Sequence, residues 1–169
     1  MVNLRIFIVF EIVKCKANIE GNISMQGLNI QQADWAVVEQ EARRIRTAVF
    51  IEEQSIAVED EWDDQDAIAL HFIVYNAQQQ AIATARLLSN HSVGRVAVLK
   101  AYRGYGIGRI LMQQIIAQAK IEQRPTLKLS AQVHAIHFYE SLGFTVQGSE
   151  YLDCGIPHVD MTMMFDASH

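Results

Sequence analysis

The run RVAVLKAYRGYGIGRILM at residues 95–112 constrains the chain most, because an extended stretch, a glycine-rich turn and an amphipathic helix follow one another without a gap. Gly104, Gly106 and Gly108 free the backbone for a tight strand-to-helix turn, after which Ile107, Ile110, Leu111, Ile115 and Ala119 recur at helical spacing. The same glycines let backbone approach a ligand closely. The first N–H groups of the helix are left without intrahelical acceptors beside its positive end, an anion site suited to a pyrophosphate. Arg103 and Arg109 flank the turn and supply charge-assisted contacts. From Arg95 to Lys128 there are seven basic side chains and one acid, Glu122, and this local excess favours a phosphorylated ligand. Two nucleotide motifs are disfavoured. A P-loop needs Gly-Lys-Ser/Thr where this chain has Gly108-Arg109-Ile110, and the dinucleotide fingerprint needs G-x-G-x-x-G where it has G-x-G-x-G.

At 169 residues the chain is long enough for one domain with a sizeable core, and its 50% hydrophobic content with only 2 prolines excludes a disordered or low-complexity chain. The net charge of −5 argues against nucleic acid or an anionic membrane as partner. That charge is unevenly spread: six of the 19 acidic residues lie at 59–66, so the remainder carries 14 bases against 13 acids. Cys15 and Cys154 are too few and too far apart for a disulfide framework, and read as reduced thiols of a cytoplasmic protein. No cysteine or acidic partners join the six histidines (71, 91, 134, 137, 158, 169) at metal-ligand spacing, so no metal is expected. Residues 1–24 form an N-terminal extension: an extra strand, an interaction tail or an upstream start. Its apolar patch, Ile6 to Phe10, is far shorter than the roughly 20 residues a membrane span needs.

Residues 25–169 read as one domain in which extended and helical periods alternate. Leu28–Gln31 is extended, and 33–50 is a helix carrying Trp35, Val38, Ala42, Ile45 and Val49 on one stripe. The acidic segment follows as a loop. His71–Tyr75 and Ala81–Leu88 make a hairpin around NAQQQ, and Arg95–Leu99, Thr126–Ala131 and the closing pair Phe144–Tyr151 and Val159–Phe165 are further strands. Val133–Leu142 is a short helix stopped by Gly143.

These residues resemble the GNAT superfamily of N-acetyltransferases. The family pattern Gln/Arg-x-x-Gly-x-Gly/Ala appears as Arg103, Gly106 and Gly108, and AIHFYESLGF at 135–144 is similar to the helix that follows the family's fifth strand. RTAVFIEEQ at 46–54, the acidic run and GIPH at 155–158 place the resemblance in the ElaA-like and YjcF-like branch. It implies an α/β fold with a mixed, bent central sheet flanked by helices. In that fold the fourth and fifth strands, here Arg95–Leu99 and Thr126–Ala131, splay around acetyl-CoA as cosubstrate.

The resemblance also assigns roles. Val96, Ala97 and Val98 would lie along the pantetheine arm, with Val96 and Val98 pairing through their backbones and an N–H near Val98 polarising the thioester carbonyl. Backbone N–H groups of Arg103, Gly104, Tyr105, Gly106, Ile107, Gly108 and Arg109 would hold the pyrophosphate, and Gln132, where many members have asparagine, would add an amide contact. Tyr139 would be the general acid that protonates the departing thiolate. The acceptor would be a primary amine of a small molecule or peptide. Glu52, Glu53, Gln54 and the acids at 59–66 would lie at the acceptor site, where the carboxylates would draw a cationic amine and Glu53 would serve as base or acceptor contact. His71 and His158 are candidate pocket residues, and Cys154 has no sequence neighbour able to activate it as a nucleophile. The expected reaction is direct transfer; the alternative is a non-catalytic acyl-CoA-binding sensor. The resemblance leaves room for a homodimer.

Overall fold

A computed structural model describes residues 27–166 and the backbone of Phe10–Glu11. The rest of the 1–24 extension, with Cys15, Met25 and His169, lies outside the described residues. Strands β1 (Phe10–Glu11), β2 (Asn29–Ala33), β3 (Leu70–Tyr75), β4 (Ala81–Leu87) and β5 (Val93–Val98) form an antiparallel sheet in sequential order. A second antiparallel sheet places β8 (Ile156–Met164) between β6 (Thr126–Gln132) and β7 (Thr145–Asp153). The two sheets meet where β5 runs parallel to β6. A bridge between Ser92 and Lys128 and the Lys128 N–H···O=C His91 bond (3.0 Å) join them there. Beyond that point each strand pairs only within its own sheet. The expected bent, mixed sheet is thus two antiparallel sheets hinged at one parallel bridge, and the splay is the gap between β5 and β6.

Helix α1 (Trp35–Arg46) covers one face of the first sheet, burying Val38, Ala42 and Ile45 on Ile73, Ala81 and Ala97. Helix α3 (Ile107–Ile121) covers the other, burying Ile107, Leu111, Met112 and Ile115 among Phe72, Val74, Leu127 and Leu129. Every residue of β4 is buried as a result. The helix expected over 33–50 is α1 followed by seven π-helical residues, Thr47–Glu53, so the helical path runs on to Glu53. The expected NAQQQ hairpin is built on Asn76, whose side-chain oxygen accepts from the N–H groups of Gln78 (3.0 Å) and Gln80 (2.9 Å). The closing hairpin runs longer than expected and turns at Cys154–Gly155, both at positive φ (48° and 75°), as a two-residue type I′ turn requires. The short helix α4 (Ile136–Glu140) is preceded by a 3₁₀ turn, Val133–Ala135, and Gly143 (φ 104°) ends the segment.

The acidic segment departs from expectation. It is not wholly a solvated loop: it holds the short helix α2 (Val58–Glu61) and a 3₁₀ turn, Asp64–Ile68, and two of its carboxylates, Glu61 and Asp66, are buried. Arg46, 1% exposed at the end of α1, bonds Glu61 through Nε (2.5 Å) and Asp66 through Nη1 (2.7 Å). Arg86 of β4 reaches Asp66 (2.8 Å) and grips Asp63 with both terminal nitrogens (2.6 and 2.7 Å). Arg95 of β5 closes the network on Glu61 (3.2 Å) and Asp63 (3.4 Å). The guanidinium of Arg46 lies over the rings of Trp62 (4.6 Å) and Trp35 (5.7 Å). His71, a candidate pocket residue, is buried beneath this network instead, its Nε2–H donating to the backbone oxygen of Asp66 (2.8 Å).

Burial pushes the Asp66 carboxyl up, but Arg46 and Arg86 more than offset it and leave it below the usual range. The hydrogen bonds from Arg86 lower Asp63, and burial lowers His71 from 6.5. All three groups bind a proton less readily folded than unfolded, so acid favours unfolding. The His71 share of stability is present above pH 6.5 and lost as pH falls through its lower folded value. The aspartate share is present above 3.8 and lost below that. Glu61, which burial pushes up, acts in the opposite sense. Asp66→Asn leaves two buried guanidinium groups short of a counter-charge. It should cost about 3–5 kcal/mol in urea unfolding at pH 7 and flatten the acid limb of a melting-temperature profile taken below pH 4.

Candidate active site

The glycine turn joins the end of β5, through a 3₁₀ turn at Lys100–Tyr102, to α3. Its glycines serve different needs. Gly104 (φ 82°) and Gly106 (φ 80°) adopt the left-handed backbone with open space where a Cβ would stand. Gly108 is helical, and its Cβ would lie 3.5 Å from the Phe138 ring. The first bond inside α3 runs from Ile110 N–H to Gly106 O (3.1 Å), so the N–H groups of Ile107, Gly108 and Arg109 precede the helical ladder and have no acceptor within it.

Two residues expected in separate roles are joined. Arg103 binds Glu53 through both terminal nitrogens (2.6 and 2.8 Å) and donates Nε–H to Val98 O (2.9 Å). The Arg103 hydrogen bonds hold the Glu53 carboxyl below its ordinary value, and Glu53 in turn raises Arg103. Arg109 donates to Ser141 Oγ (2.5 Å), which donates to Phe138 O (2.6 Å), fastening α3 to α4. Gln132, at the end of β6, donates to Gln54 Oε1 (2.9 Å) just past the π-helical segment.

Between β5 and β6 lies a cavity of about 750 Å³. Val96, Ala97 and Val98 form one wall, and Leu129, Ser130 and Gln132 the other. Arg103, Gly104, Gly106, Ile107, Gly108 and Arg109 line one end, while Phe138 and Tyr139 also face the space. Tyr105 does not line it, and is exposed. A β-bulge shapes the first wall: β4 pairs Thr84 with Ala97 and Arg86 with Gly94, so Arg95 and Val96 together oppose Ala85. Arg95 takes a φ of 52°, which re-aims the backbone there.

Tyr139 packs edge-on against Phe138 and Phe144 (centroids 5.0 and 6.0 Å apart), and burial pushes its hydroxyl up to about 12. It therefore holds its proton at neutral pH, and among the described residues the hydroxyl has no hydrogen-bond partner. Cys154 and Asp153, at the tip of the closing hairpin, also line the cavity, as do Asp60 and Glu61. Burial and Asp153 push the Cys154 thiol up, away from the thiolate a nucleophile needs. Of the expected acidic patch, Glu61, Asp63 and Asp66 are tied up in ion pairs with Arg46, Arg86 and Arg95, which reduces its pull on a cation. Sequence reasoning named Gln54 but not its bond to Gln132, and it missed Phe138 as a lining residue and the Arg95 bulge. An arginine on the apolar stripe of α1 and another inside the apolar β4 run were the available signals for the ion network. Among the described residues, no cluster of three His, Cys, Asp or Glu could hold a metal ion, and no helix is long and apolar enough to cross a membrane.

Comparison with known proteins agrees with this geometry. Residues 26–165 match the family described as the acetyltransferase (GNAT) domain. The N-acetyltransferase YjcF of Bacillus subtilis is 32% identical over 121 residues, 69% of this chain and 86% of that one. ElaA of Escherichia coli is 32% identical over 127 residues, 70% and 82% of the two chains. The crystal structure of ElaA superposes with a TM-score of 0.73 over 80% of this chain and 99% of its own, at 26% identity. That of an acyl-CoA N-acyltransferase from Pseudomonas aeruginosa gives 0.72 over 80% and 99%, at 28% identity.

The different demands on the glycines are separable by mutation. Gly106→Ala should lose about 1 kcal/mol of stability, the cost of a left-handed alanine. Gly108→Ala should lose none, since alanine is favoured in a helix and its Cβ meets Phe138 at ordinary contact distance. Calorimetric melting of the two variants checks this.

Proposed function

The chain belongs to the GNAT acetyltransferase family and is a transferase, and from that premise we propose that it moves acetyl from acetyl-CoA directly to a primary amine of a small molecule or peptide. The observation that carries this reading is the gap between β5 and β6, with a protonated Tyr139 facing the same space as the glycine turn. The thioester's pantetheine arm runs along the backbone of Val96, Ala97 and Val98. Its pyrophosphate takes the N–H groups from Arg103 through Tyr105 and Gly106 to Arg109, and Gln132 supplies an amide contact from the opposite wall. The neutral amine nitrogen attacks the carbonyl carbon, the C–S bond breaks, and Tyr139 gives its proton to sulfur. The proton shed by the new amide nitrogen returns to the tyrosine oxygen in the same event, since a tyrosinate is costly where burial disfavours charge.

Glu53 fits a positioning role better than that of a base. A carboxylate held low by a bidentate guanidinium is a weak proton acceptor, and its bond to Arg103 anchors the turn to the π-helical segment. The raised thiol of Cys154 supports direct transfer over a covalent acyl-enzyme. The wild-type protein should bind acetyl-CoA in isothermal titration and release CoA thiol with at least one member of a primary-amine panel. Binding without thiol release from any amine would mark a non-catalytic sensor, and absence of binding would overturn both. Tyr139→Phe should keep the acetyl-CoA affinity and lower kcat by about 10²–10⁴; unchanged turnover removes Tyr139 as the acid.

A further inference from the structure

Resting on the amine-acetylation reading, the geometry points to His158 as the general base that deprotonates the acceptor ammonium. His158 lies on β8 opposite Gln132 of β6, where the two sheets have separated, and its side chain lines the cavity while only 9% exposed. Its Nδ1 stands 2.7 Å from the backbone oxygen of Ile156. A carbonyl only accepts, so Nδ1 carries the proton and the neutral ring keeps its lone pair on Nε2. Among the described residues nothing takes that nitrogen. The ring stacks on Tyr151 of β7 (22° between planes, centroids 6.2 Å), whose hydroxyl donates to Asp160 (2.7 Å). Imidazole tautomer and orientation are thus set from outside the cavity, as a proton acceptor requires. The ionisable groups on the elements packed around it are Lys128 on β6, Glu150, Tyr151 and Asp153 on β7, Asp160 on β8 and His134 on the 3₁₀ turn, and Asp60, Glu61, Tyr139 and Cys154 line the same cavity. Glu53, the carboxylate expected in this role, is engaged by Arg103.

The step balances. The ammonium N–H bond breaks, its proton goes to Nε2 directly or through one water, and the freed lone pair attacks the thioester carbon. The imidazolium then releases its proton to solvent after the product leaves, while Tyr139 and the amide nitrogen exchange theirs.

The test uses the alkylamine that the wild-type protein acetylates fastest in the panel, with thiol release followed from pH 6 to 10. His158→Gln should lower kcat about 100-fold at pH 7 and leave the acetyl-CoA affinity unchanged. Its deficit should shrink toward pH 10, where the amine loses its proton unaided. His158→Ala should regain activity when imidazole is added. A deficit equal at all pH values, turnover matching the wild type, or no rescue by imidazole in a variant that still binds acetyl-CoA would each overturn the base role while leaving amine acetylation standing. Failure of the wild-type protein to acetylate any amine would overturn both.

Discussion

The buried ion network of Arg46, Arg86 and Arg95 with Glu61, Asp63 and Asp66 holds the pieces of this structure in place. It joins four segments that are remote in sequence: α1, the 58–68 segment, the buried strand β4 and the splayed strand β5. Desolvating such groups is expensive, and their mutual attraction returns the cost only when each hydrogen bond is made. Most are made here, although Arg86 Nε is buried without a partner. The return on this cost is placement. The network pins the acidic segment against the sheet, so Asp60 and Glu61 come to line the cavity, and it seats Arg95 in the bulge that turns the β5 backbone toward the gap.

Local features were legible because they depend on neighbours in sequence. The strand, the glycine turn and α3 follow from three glycines and an apolar stripe, the first hairpin follows from the NAQQQ stretch between two strand-like runs, and the closing hairpin from its two runs, though not its turn at Cys154–Gly155. Features that close over long separations were not. Glu53 and Arg103 are 50 residues apart, Gln54 and Gln132 78 apart, and no local pattern couples them. The acidic run misled in an instructive way: six acids in eight residues read as solvated, while their partners were single arginines in otherwise apolar runs. Arg46 falls four residues after Ala42 on the buried face of α1, and Arg86 interrupts AIATARL in a strand buried throughout. A lone charge where periodicity demands an apolar side chain implies a buried counter-charge elsewhere, and the acid-rich segment was the place to look.

The ionisable groups in and beside the cleft are held in distinct chemical states. Burial keeps the Tyr139 phenol protonated, and with Asp153 it keeps Cys154 a thiol. The Arg103 clamp keeps Glu53 ionised. A proton donor and a thiol thus line one cavity, and a held carboxylate stands beside it on the lining residue Arg103. The sequence names these residues, but only packing decides what each can do.

The join between the two sheets has a mechanical meaning. Each wall of the cleft belongs to a hydrogen-bonded antiparallel sheet, interrupted in β5 by the Arg95–Val96 bulge, and the two sheets pair with each other at the Ser92–Lys128 bridge and the adjoining His91–Lys128 bond. Two further ties cross between them: α3 packs on one core drawn from both sheets, and Gln132 bonds Gln54 beyond the gap. Widening the gap would leave both ladders intact but would have to break the Gln132–Gln54 bond and part the core under α3, so gap width is set by contacts outside the ladders. The thickness of what the molecule encloses is therefore decided by a few long-range side-chain contacts, while the sheets hold its reactive groups in register.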